Sequence, residues 1–190
     1  KGKPIPALQG YDRNGKVIYI GTFSKSIAPA IRMSYLVLPE TVCSLYKERC
    51  GFISSTVSKV DQLILQKFIE EGYYERHLNK TRALYRNRHD VLLNALKDMT
   101  TDFMISGENA GVHLLLRFHD GRSEEELIRL AKEKEVKVYG LSEYYVGENK
   151  KEKQDQKEAV ILLGYANMSD EKIMCAAKLL DEAWSGKGCR

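Results

Sequence analysis

The sequence predicts an α/β protein in two parts. Residues 1–72 read as a piece of a large layered α/β domain, residues 73–99 as a long connecting helix, and residues 100–190 as a small α+β domain. Three observations carry this. Two short apolar runs, 17–20 and 35–38, are rich in β-branched and aromatic residues, the pattern of strands buried on both faces of a parallel or mixed sheet. Helical apolar spacing then continues from about residue 40 to 98. After residue 100 the elements shorten and follow the order strand, strand, helix, strand, strand, helix, which packs as helices against one face of a sheet.

Taken in order, 1–16 are rich in Pro and Gly, and Asp12-Arg13-Asn14-Gly15-Lys16 reads as a turn into the first strand. Two strands cannot cover both of their own faces, so the sheet is expected to be incomplete within this chain. Pro39 and Glu40 open a helix to about 50. Thr56 is the expected cap of a second helix to about 71, with Val57, Val60, Ile64 and Phe68 on one face and Gly72 just beyond its C-cap. The long helix at 73–98 has Leu78, Leu84/Tyr85, Val91/Leu92 and Ala95/Leu96 as its apolar stripe. Its Arg and Lys residues read as a solvated face, because Glu75, Asp90 and Asp98 interrupt them and no aromatic platform accompanies them.

In the second part, 103–105 and 111–118 are strand candidates, the latter with Val112, Leu114 and Leu116 on one face and His113, Leu115 and Arg117 on the other. Ser123 with Glu126 forms a capping box for a helix to about Lys134. A short strand at 136–139, a polar mobile loop at 146–158 and a buried strand at 160–163 follow. Ser169 caps the last helix, which places Ile173, Ala177, Leu180 and Trp184 inward and ends at Gly186.

Composition bounds function. Thirty basic residues stand against 26 acidic in 190, a net charge of +4, and this excess is too slight to mark a nucleic-acid surface or a membrane patch. No apolar run approaches the ~20 residues of a membrane span, and no signal-peptide pattern is visible. The four cysteines, Cys43, Cys50, Cys175 and Cys189, lack metal-ligand spacing. A cytoplasmic protein is expected.

The chemistry concentrates between the first two strands. Lys25 follows the first strand, where open α/β sheets place ligands, and Arg32 follows seven residues later with a guanidinium suited to a dianionic phosphate. A lysine at such a place is also a common solvated surface residue. A P-loop is excluded, because Lys25 has no glycine before it. The string Gly21-Thr22-Phe23-Ser24-Lys25, Ala28-Pro29-Ala30-Ile31-Arg32, Ser34-Tyr35-Leu36-Val37 closely resembles the cofactor-lysine segment of fold-type-I pyridoxal-phosphate (PLP) aminotransferases. With Pro4-Ile5-Pro6-Ala7-Leu8-Gln9-Gly10 and Gly164-Tyr165-Ala166-Asn167-Met168-Ser169, it is most similar to the aminotransferase-like domain of MocR-type (GntR-family) transcriptional regulators.

The resemblance implies the carboxy-terminal portion of the PLP-dependent transferase fold. It implies Lys25 as the amine that condenses with the cofactor's aldehyde, and Arg32, Thr22 and Ser24 as phosphate ligands. The hydroxyls of Thr22 and Ser24 have a plainer alternative, bonding nearby backbone in the turn. An amino-acid-like small molecule, a homodimer, DNA contacted only through a winged-helix domain upstream of residue 1, and no membrane surface complete the implied partners.

Two departures matter. Where many members carry an arginine for the substrate carboxylate, five residues before the glycine matching Gly164, this chain has Ala159. The half supplying the glycine-rich turn, the ring-stacking aromatic and the aspartate for the ring nitrogen would precede residue 1. An effector-sensing regulator module is therefore the expected function, with a fragment of a true aminotransferase as the alternative. Arg117 as a carboxylate ligand, His113 as a core histidine, and Tyr139, Tyr144 and Tyr145 as packing residues are the remaining readings.

Overall fold

The computed structural model describes residues 6–108, 111–146 and 158–185. The chain divides into two compact units, Lys1–Arg82 and Ala83–Arg190.

Unit 1 begins with a loop organised by Asp12. Its carboxylate accepts hydrogen bonds from the backbone N–H groups of Asn14 (2.9 Å), Lys16 (2.6 Å) and Val17 (2.7 Å). These bonds, Val17's foremost, hold the Asp12 carboxyl below its ordinary pKa. Strands β1 (Tyr19–Thr22) and β2 (Ser34–Val37) pair antiparallel, with Tyr19 opposite Val37 and Thr22 opposite Ser34. The strands are exposed rather than buried on both faces: Ile20 is 69% exposed, and the apolar patterning of their sequence is left uncovered by unit 1 itself.

Helix α1 (Glu40–Cys50) starts after Pro39. Helix α2 (Lys59–Glu70) is capped by Ser58, whose Oγ accepts from the Asp61 N–H at 3.5 Å, and not by Thr56. A capping hydroxyl must reach the third residue of the helix, and Thr56 precedes the first helical residue by three. Gly72 takes the left-handed conformation (φ 72°) just beyond the C-cap of α2. Helix α3 (Tyr73–Lys97) then crosses the boundary between the two units.

Among the described residues, Met33 is the one buried hydrophobic side chain of unit 1. Its interior is instead a ladder of rings: Tyr19 on Tyr35 (6.0 Å between centroids), Tyr35 on Phe23 (5.3 Å), Phe23 on Tyr74 (5.9 Å) and Tyr74 on Phe68 (6.4 Å). Tilted and edge-on ring pairs of this kind each contribute about 0.5–1.5 kcal/mol beyond area burial. Tyr35 lies across Gly21, where any side chain would collide with its ring.

Unit 2 is a four-stranded antiparallel sheet in the order β3-β4-β6-β5, formed by β3 (Met104–Ser106), β4 (His113–Phe118), β5 (Tyr139–Gly140) and β6 (Ala159–Gly164). Helix α4 (Glu124–Glu133) follows β4, and α5 (Asp170–Trp184) follows β6. Their caps are the expected ones, Ser123 accepting from Glu126 N–H and Ser169 from Lys172 N–H. Leu114, Leu116 and Phe118, alternating along β4, are fully buried with Leu127, Ala131 and Ile161. Leu92 and Leu96 of α3 and Leu180 and Trp184 of α5 complete this core. Trp184 stands edge-on to Phe118 and donates its indole N–H to the Leu127 carbonyl at 3.0 Å.

Two details differ from the sequence expectation. The strand expected at 136–139 pairs only at Tyr139–Gly140, and His113 is exposed, because it occupies the outward register of β4. The loop expected at 146–158 lies almost wholly outside the described residues, as does Gly186.

Candidate functional site

The end of β1 and the segment joining it to β2 carry all four predicted site residues, Thr22 closing the strand and Ser24, Lys25 and Arg32 following it. Pairing continues one residue past Thr22, with the Phe23 N–H donating to Met33 O at 3.0 Å. The loop is therefore closed at its base, and Ser24, Lys25 and Arg32 lie between those two points. Residues 23–27 form a tight turn around the Phe23 carbonyl, which accepts from the backbone N–H of Ser26 (3.2 Å) and Ile27 (2.8 Å) and from Ser26 Oγ (3.4 Å).

Thr22 and Ser24 behave as turn residues. Thr22 Oγ1 donates to Met33 O at 3.2 Å and accepts from the Ser24 N–H at 3.2 Å, so its one proton is committed to backbone. Lys25 and Arg32 are exposed. Neither has a hydrogen-bond or ion-pair partner among the described residues, which leaves two cations in one loop without a counter-charge.

Arg32 has a further peculiarity. Its backbone is left-handed, φ 45° and ψ 33°, at the end of a 3-10 turn over Pro29–Ile31. An L-residue held there costs about 1–2 kcal/mol relative to the right-handed region. Glu135 (φ 59°) is the other non-glycine residue of this kind among those described. It has a helix-end reason: its N–H and that of Val136 close the last turn of α4 onto Lys132 O and Ala131 O.

Residues outside the predicted set complete the loop's surroundings. The Tyr74 hydroxyl donates to Ser26 Oγ at 3.1 Å, and His77 Nε2 lies 3.1 Å from Ser26 O, where it must carry a proton to donate. Tyr74 and His77 stand three apart on α3, and that spacing on one helix face was the available signal. Tyr19 and Tyr35 flank the strand end, and the hydrogen bond between their phenols, which favours the protonated Tyr35, pushes the Tyr35 phenol above its ordinary pKa.

In unit 2, Ala159 is buried opposite Phe118. Arg117 pairs instead with Glu158 at 3.6 Å, and His119 with the same carboxylate at 3.5 Å. Glu124 is another residue missed as more than a helix-start acid: its carboxylate accepts from Ser142 N–H and Val160 N–H, both at 3.1 Å. Two grooves of unit 2, about 390 and 680 Å³ in volume, are lined by none of the four predicted residues. Among the described residues there is no cluster that fits a metal ion and no helix long and apolar enough to cross a membrane.

The order of elements matches the aminotransferase fold of solved structures over almost the whole chain. Kynurenine aminotransferase of Pyrococcus horikoshii, solved in complex with PMP, shares that fold with a TM-score of 0.79 and 24% identity, over 97% of this chain and 44% of its own. The chain belongs to the aminotransferase class I and II family, whose model matches residues 2–180. Several of its curated relatives are regulators by name. An uncharacterized HTH-type transcriptional regulator of Bacillus subtilis, YhdI, is 38% identical over 97% of this chain. The probable rhizopine catabolism regulatory protein MocR of Rhizobium meliloti is 34% identical over 76% of it. The chain spans 38% of the length of the first of these and 30% of the second.

Proposed function

We propose that this chain belongs to the effector-sensing, aminotransferase-like module of a MocR-type transcriptional regulator, and that Lys25 and Arg32 hold pyridoxal 5'-phosphate in it. The observation that carries the reading is the loop after β1. It presents two cations unpaired among the described residues, and one of them is kept at a left-handed backbone position that glycine would occupy at lower cost. Strain of that kind persists where the side chain has a task.

The donor set fits the cofactor. When bound, PLP supplies an aldehyde that condenses with an amine and a ring that withdraws electrons. Lys25 offers the amine. Arg32 offers a planar fork of donors to the phosphate, and Ser24 adds a hydroxyl. Thr22 serves first by fixing the loop base through Met33 O, and its oxygen orients the Ser24 N–H. Regulation would follow from the same amine: an amino-acid-like effector that took Lys25's place on the aldehyde would free the Lys25 amine for other contacts. The names of the curated relatives support a regulator over a free-standing enzyme, and so does Ala159, which cannot bind a substrate carboxylate as arginine does. DNA is then contacted through another domain of the protein, and the module works as a homodimer.

The test is reductive trapping in the full-length protein. Borohydride added with pyridoxal phosphate should fix one cofactor on Lys25, and Lys25→Ala should remove that label. Labelling spread evenly over surface lysines would overturn the assignment.

A further inference from the structure

Resting on the reading of Lys25 as the cofactor lysine, we propose that Tyr74 and His77 are positioning residues that hold the Lys25 turn in place. A single turn of chain is marginal by itself, because fixing its backbone costs more than its few hydrogen bonds return. Something outside residues 23–27 must therefore keep it formed, and α3 supplies that through the residue next to Lys25. The Tyr74 hydroxyl holds Ser26 by its side chain, and His77 Nε2–H holds it by its carbonyl. Ser26 Oγ passes the interaction on to Phe23 O, the carbonyl that closes the turn.

The clamp is itself braced. Tyr74 stands edge-on to Phe23, and Phe68 of α2 packs against both Tyr74 and His77 at 6.4 Å. Lys25, by contrast, has no side-chain partner among the described residues. A backbone fixed from one side and an amine left free on the other is the combination a positioned nucleophile requires.

The experiment uses the full-length protein with pyridoxal phosphate as probe and three variants. Tyr74→Phe keeps the ring and deletes the hydroxyl. His77→Leu deletes the donor, and His77→Gln restores an N–H. Two quantities are read: amide hydrogen exchange at Ser26 and Ile27 in the cofactor-free protein, and the fraction of Lys25 trapped at sub-saturating cofactor. Tyr74→Phe and His77→Leu should each speed exchange at those two amides and lower trapping about three- to tenfold, the loss expected for one hydrogen bond. His77→Gln should recover most of both. Unchanged exchange and trapping in Tyr74→Phe and His77→Leu would overturn the proposal. So would a rise in exchange spread over all of unit 1, which marks a merely structural role. A wild-type protein that traps no cofactor on Lys25 would instead sink the cofactor reading, and the exchange data would still report whether the clamp holds the turn.

Discussion

The two units solve the same problem in opposite ways. Unit 2 closes a mixed aliphatic and aromatic core, with alternate residues of β4 fully buried against α4 and α5. Unit 1 has a single buried hydrophobic among the described residues and is held by a ladder of rings, while Ile20, Phe52 and Leu63 face solvent at 69%, 83% and 59% exposure. The count of strands already points to this difference, since two strands cannot cover both of their own faces; the ring ladder that holds unit 1 does not follow from it. The difference places the loop bearing Lys25 on the less consolidated unit.

The largest expected effect tests the closed core. Phe118→Ala removes a ring that meets both Phe103 and Trp184, and should cost unit 2 about 3–5 kcal/mol in urea unfolding followed by circular dichroism. A cost under 1 kcal/mol, by the same scale, would erase the contrast.

Next in size is the edge of that core. Asp181 accepts from the N–H and hydroxyl groups of Thr100 and Thr101 at 2.9–3.2 Å. Desolvation pushes its carboxyl up, and the four donors more than reverse this, leaving its pKa below the ordinary value. The stabilisation is therefore complete above the unfolded pKa of about 4 and is lost as pH falls through the lower folded value. Asp181→Ala should cost about 1.5–3 kcal/mol at neutral pH, and should flatten the pH dependence of unit 2 unfolding below about pH 4.

A smaller and opposite effect is expected from the two left-handed residues. Arg32→Gly and Glu135→Gly each relieve about 1–2 kcal/mol of backbone cost and add about 0.5–1 kcal/mol of chain entropy, a net gain of roughly 0.5–1 kcal/mol. Only Arg32→Gly should also abolish pyridoxal-phosphate trapping. Equal loss of trapping in both variants would remove the special place given to Arg32.

The smallest effect lies on the open strands. Ile20→Ser and Leu36→Ser should change the unfolding free energy by no more than about 0.5 kcal/mol, as surface substitutions do. Light scattering should nevertheless show less self-association, because exposed apolar strands favour it. A large destabilisation would mean that unit 1 hides more core than its ring ladder.

Much of this architecture was legible in the residues. Pro39, Gly72, Ser123 and Ser169 mark helix ends because each has a backbone or side-chain property that only a terminus uses, and the alternation from Leu114 to Phe118 gives the buried face of β4. The cap of α2 was not legible, since Thr56 and Ser58 are equally good cappers by type and only the helix start decides between them. The exposure of His113 turns on strand register, and the register is set by pairing with residues almost fifty positions later. For the site, Lys25 and Arg32 could be read from one local string. The grip of Tyr74 and His77 on Ser26 spans about fifty residues of sequence, and their spacing of three on one face of α3 does not say which residue they hold.

The burial of Trp184 has a practical consequence for measurement. It is the chain's sole tryptophan, and it lies wholly within the core of unit 2, where its indole N–H is tied to Leu127 O. Its emission is thus a private reporter on that core. Near-ultraviolet tyrosine dichroism, to which the ring ladder from Tyr19 to Tyr74 contributes alongside the five tyrosines of unit 2, reports on the whole chain. Following both signals through one denaturant titration shows directly whether the two units melt together or in turn, with no label attached and no residue replaced.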